Sequence, residues 1–96
     1  MGNIKKTLKN YRKNKLKISV AQKHNKMTSE LEEILREMEA IDMGLEYLKE
    51  DLQNIIDRHY RKGDSYESLA RSTGYTKAGV VSKVKRAVNE LQKMFD

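Results

Sequence analysis

Apolar residues recur along much of this chain in steps of three and four, the period of one face of an α-helix. Proline is absent and glycine occurs only five times, so the regular turn signals of a β-sandwich are missing. The pattern predicts an all-α fold. Its longest stripe runs through Leu31, Ile34, Met38, Ile41, Leu45, Leu48, Leu52, Ile55 and His59, a heptad-like alternation of threes and fours. Ser29 with Glu32 three residues later has the form of a capping box, which predicts a helix start near Glu30. Gly44 interrupts the stripe, at a cost of about 1 kcal/mol relative to alanine. The segment is one helix weakened at Gly44, or two helices joined near it.

Two uses compete for this stripe. From Leu48 to Tyr60 the expected use is core packing against the helices that follow. For Leu31, Ile34, Met38, Ile41 and Leu45 a coiled-coil homodimer or partner-helix interface stands beside core packing. Leu35, Met43, Tyr47 and Ile56 widen the stripe, which suits contact with more than one element.

Ahead of it Ile4, Leu8 and Tyr11 share a helical face, and Leu16, Ile18 and Val20 continue it less regularly among lysines. Residues 1–28 therefore read as a basic arm or a marginal helix. Residues 29–44 read as an acidic amphipathic helix, and 45–96 as a compact helical domain. Within that domain Gly63 provides a turn, Ser65 caps a short helix through Leu69 and Ala70, and Gly74 tolerates the positive φ of the next turn. Thr76 caps a longer helix whose Val80, Val84, Ala87, Val88 and Leu91 form one stripe, with Lys77, Ser82, Lys83, Lys85 and Arg86 elsewhere on its surface.

Charge sharpens this organisation. The net charge is +6 over 96 residues, but residues 1–29 hold nine basic and no acidic side chains, 30–58 hold three and ten, and 59–96 hold eight and four. A polyanionic partner would be repelled by the acidic middle and met by the two basic ends. Cysteine is absent and His24 and His59 are isolated, so a metal or other cofactor is not expected. No constellation suits catalysis, and the expectation is a protein that is not an enzyme. No apolar run approaches the roughly 18 residues that cross a bilayer, nor does the basic N-terminus carry the apolar stretch of a signal peptide. A cytoplasmic protein without membrane contact is expected.

From residue 45 to 95 the order Leu48, Ile55, Tyr60, Gly63, Ser65, Glu67, Leu69, Ala70, Gly74, Thr76, Val80, Ala87 and Leu91 resembles the helix-turn-helix of region 4 of sigma-70-type factors. It is similar in the same way to small phage transcription regulators of the ArpU, RinA and positive-control-factor type. Lys49 departs from the family, which often has proline after the position of Leu48. A chain of this length leaves no room for the aromatic-rich region with which a complete sigma factor melts promoter DNA. The resemblance thus implies a bacterial or phage regulator that binds double-stranded DNA, with RNA polymerase as a candidate second partner.

The first turns of the second helix of such a motif reach base edges, making Lys77, Ala78, Gly79, Ser82 and Lys83 the candidates for base contact. Ser65, Arg71, Tyr75, Thr76, Lys85 and Arg86 are the candidates for phosphate contact. Two other classes compete with DNA reading by the helix 77–95. One is a protein-interaction module docking on RNA polymerase or a regulator through the helix 31–59; the other is RNA binding through the basic arm.

Overall fold

A computed structural model describes residues 3–95. Among them are six α-helices and one π-helical turn, and no strand. None of the helices is long and apolar enough to cross a membrane.

Helix α1 (Ile4–Lys9) starts at Asn3, whose side-chain oxygen accepts from the Lys6 amide at 3.2 Å. Asn10 bends the chain without breaking it. Its amide donates to the Lys6 carbonyl, its carbonyl accepts from Asn14, and α2 (Tyr11–Lys23) follows at once. After α2 the chain reverses through Asn25 at φ 55, a left-handed conformation that asparagine tolerates better than most residues.

Helix α3 (Ser29–Leu45) corrects the expected cap by one residue. Thr28, with extended backbone, accepts the Leu31 amide on its hydroxyl at 3.1 Å, leaving Ser29 as the first helical residue. Glu30 and Glu32 still complement the positive end of the helix.

The stripe from Leu31 to His59 belongs to two α-helices. The break comes after Leu45, and α4 (Glu50–Ile56) begins past an extended Lys49. Gly44 lies inside α3, where a Cβ would stand 3.1 Å from Leu91 Cδ2 and 3.2 Å from Phe95 Cζ. Its smallness admits the last helix rather than turning the chain.

Helix α4 widens into a π-helical turn at Asp57–Arg61, with the Lys62 amide donating to the Asp57 carbonyl five residues back. Gly63 at φ 80 then turns the chain into α5 (Tyr66–Thr73), and Gly74 at φ 80, ψ 0 turns it again into α6 (Lys77–Phe95).

One core gathers all of this. Ile4 and Leu8 of α1, Ile41 and Leu45 of α3, Leu48 in the turn between α3 and α4, Leu52, Ile55 and Ile56 of α4, Leu69 of α5, and Val80, Val84, Ala87 and Leu91 of α6 form a single buried cluster. Helix α4 packs on α6, α5 on α6, and α1 on both α3 and α6. A smaller cluster joins Tyr11 and Ile18 of α2 to Met38 of α3, with Leu31, Ile34 and Leu35 packed alongside. The N-terminal basic block is therefore folded onto the rest. Its Ile4 and Leu8 have no exposed surface, and each such buried aliphatic stabilises by about 1.5–3 kcal/mol.

A polar network fastens α2 to this frame. The Tyr11 hydroxyl lies 2.9 Å from Asp42 Oδ1 on α3, and Arg61 donates to that same oxygen at 2.7 Å and to Asp57 Oδ1 at 2.6 Å. Burial first, and then the bond to the Asp42 carboxylate, push the Tyr11 hydroxyl up to about 12. Burial alone would raise Asp57, but Arg61 and Lys62 outweigh it and hold its carboxyl below the ordinary range.

Candidate nucleic-acid interface

The surface around α5 and α6 is set by three local devices. Ser65 Oγ accepts the Ser68 amide at 3.1 Å and starts α5. Gly74 ends it, its amide donating to the Ala70 carbonyl, in open space where a side chain would meet nothing within 4 Å. Glycine is required there by conformation alone. Thr76 Oγ1 accepts the Gly79 amide at 3.0 Å and starts α6. Leu69, Val80 and Val84, all buried, lock the two helices together and turn the opposite side of α6 outward.

On that outward side Lys77, Ala78 and Ser82 are exposed, while Gly79 and Lys83 are half-buried. Ser65, Arg71, Tyr75, Thr76, Lys85 and Arg86 are all exposed. Ser65 and Thr76 use only an oxygen lone pair in capping, so each hydroxyl proton is free for a phosphate oxygen. A Cβ at Gly79 would lie 3.2 Å from Thr76 Oγ1, so its lack of a side chain already serves the cap.

The electrostatics of α6 depart from a bare basic face. Lys77 Nζ lies 2.7 Å from Glu67 Oε1, Lys83 Nζ 2.9 Å from Asp51 Oδ2, and Arg86 Nε 3.6 Å from Glu90 Oε1. Lys83 also stands over the Tyr75 ring, 4.9 Å from its centroid. The hydrogen bond that Lys77 donates to Glu67 raises Lys77, and the one that Lys83 donates to Asp51 raises Lys83, while both carboxyls are held below their ordinary values. Exposed pairs of this kind are weak. A phosphate could replace the carboxylate, but only after a competitor is displaced.

The five residues for which sequence left core packing and an oligomer or partner interface side by side divide between two clusters. Ile41 and Leu45 are buried in the main core and Met38 in the smaller cluster, with Leu31 and Ile34 half-buried beside it. The chain's own α1, α2 and α6 cover the stripe, because Ile4, Leu8, Tyr11 and Ile18 supply the apolar face it needs. Met43 and Tyr47 remain exposed, at 67% and 82%, bordering an apolar groove with Met94.

Sequence reasoning missed the Tyr11–Asp42–Arg61 network and the partners of Lys77 and Lys83. Only the shared face of Ile4, Leu8 and Tyr11 hinted that α1 and α2 would dock. Among the described residues no group of three or more histidine, cysteine or carboxylate side chains is placed to hold a metal ion. No family model matches the chain, and neither does any curated protein or solved structure.

Proposed function

We propose that this protein is a sequence-specific DNA-binding regulator of transcription that reads duplex DNA with α6, the second helix of a sigma region 4-like helix-turn-helix. The observation that carries this reading is the sequence of Ser65 cap, left-handed Gly74 and Thr76 cap. Together they present the start of α6 outward while its Val80 and Val84 are anchored in the core. A helix about 28 Å long, whose first two turns expose Lys77, Ala78 and Ser82, suits entry into a major groove. Lys77, Ala78, Gly79, Ser82 and Lys83 then face bases, and Ser65, Arg71, Tyr75, Thr76, Lys85 and Arg86 face the backbone.

The docking alternative through residues 31–59 is less favoured, because Met38, Ile41 and Leu45 are already buried within the chain. Contact with RNA polymerase remains compatible with DNA reading by α6.

Selection of bound duplexes from a random pool tests the reading. A consensus is expected, and replacing Ser82 and Lys83 with alanine should cost about tenfold or more on it and clearly less on scrambled duplex. Failure to enrich any sequence would sink the proposal.

A further inference from the structure

The unpaired positive charge of this protein lies chiefly outside α6. All nine Lys and Arg side chains between Lys5 and Lys26 are exposed, and among the described residues none of them makes a salt bridge. Among the described residues every ion pair belongs to cations from Arg58 onward, including Lys77, Lys83 and Arg86. Eight of the nine, all but Lys26, also sit on a fixed scaffold, since burial of Ile4, Leu8, Tyr11 and Ile18 holds α1 and α2 in place.

Their two sides differ. Lys6, Lys13 and Lys17 border a groove whose far wall carries Glu30 and Glu37, and Lys15 borders one with Glu39 and Asp42. Lys5, Lys9 and Arg12, spaced i, i+4, i+7, border neither. The Arg12 guanidinium lies against Gly63, where a Cβ would collide with it, and Gly63 is two residues before the α5 cap Ser65. Asp64 between them is neutralised by Arg58 at 2.9 Å. A cationic row thus begins beside the start of α5 and runs along α2 and α1.

We propose that Lys5, Lys9 and Arg12 form a second DNA-contacting surface, which grips duplex phosphates adjoining those met by the start of α5. It supplies most of the sequence-independent part of binding, and α6 the discrimination. This rests on the reading of the protein as a duplex binder. Free cations release condensed counterions outright, whereas Lys77 and Lys83 must first give up a carboxylate.

The test compares wild type with a Lys5→Gln, Lys9→Gln, Arg12→Gln triple variant on the selected duplex and on scrambled duplex across a salt series. Because Arg12 touches Gly63, a Lys5→Gln, Lys9→Gln double variant, altering two exposed side chains, runs in parallel. Affinity for both duplexes should fall by the same factor, about tenfold or more at about 50 mM salt for the triple variant. The log-log salt slope should drop by about 0.9 for each lost contact, so by about 2.7 and about 1.8 for the two variants. Unchanged affinity and slope in a protein whose wild type still discriminates would overturn the surface and leave α6 reading intact. A wild type that binds neither duplex would overturn both. Loss of binding to phosphatidylserine vesicles with duplex binding unchanged would assign the row to lipid and overturn the proposal equally.

Discussion

Lys83 of α6 and Asp51 of α4 are joined by a 2.9 Å bond from Nζ to Oδ2, so the cation that ends the candidate base-contact set is held by a carboxylate of the same chain. Removing that charge with Asp51→Asn should release Lys83 without disturbing the core, since Asp51 is exposed. Duplex of any sequence should then be bound several-fold more tightly, with a salt slope steeper by about 0.9. Fluorescence anisotropy over a salt series reads both, and an unchanged slope would mean that the pair does not restrain Lys83.

The Tyr11 hydroxyl and Asp42 give a pH signature. Tyr11 ionises near 12 in the folded chain against an ordinary 10.0, so its contribution to stability is fully present below pH 10.0 and is lost as pH climbs towards about 12. Tyr11→Phe should cost about 1 kcal/mol in urea unfolding at neutral pH. The gap between wild type and variant should stay constant up to the ordinary tyrosine value and close above it. A gap that ignores pH in that window would exclude the bond as its source.

Leu8 tests whether α1 belongs to the core. Its side chain is fully buried with Leu91 and Ile41 in one cluster, so Leu8→Ala should lose about 2–5 kcal/mol and keep a single cooperative transition. Hydrogen exchange offers an independent check. Amides of α1 that exchange as fast as those of an unfolded peptide would contradict the docking.

Gly44 is expected to separate two effects. Alanine gains about 1 kcal/mol of helix propensity but presses on Leu91 and Phe95, of which Phe95, half-buried near the end of α6, can yield. Gly44→Ala should therefore stay within about 1 kcal/mol of wild type, whereas Gly44→Val should lose about 1–3 kcal/mol by overpacking. Thermal unfolding distinguishes them, and equal stability of the two variants would show the contact to be loose.

What could be read from sequence was whatever has its cause within one helical turn. Ser65, Gly74 and Thr76 act on amides three or four residues away or on their own φ, and the structure has each in its expected role. Thr28 stands where Ser29 was expected because either of two adjacent hydroxyl residues can cap a helix, so the local pattern places the start only to within a residue. Gly44 was recognised as an interruption, but its reason lies 47 residues away at Leu91 and is invisible to a local pattern. The same holds for Asp42, whose partners Tyr11 and Arg61 are 31 and 19 residues distant. The face of Ile4, Leu8 and Tyr11 was legible as a face; that it would cover the stripe of α3 was not, since apolar periodicity says that something is buried without saying by what.

Ile4 and Leu91 share one cluster, and the Ile4 amide donates to the Gln92 side chain at 3.3 Å, across 88 residues. Such closure has a kinetic consequence. The loop that must form before these contacts reward it spans nearly the whole described chain, which slows folding relative to a bundle held by neighbouring helices. During synthesis α1 waits for α6 to emerge, and until then its unpaired lysines and uncovered leucine are presented together to the surroundings.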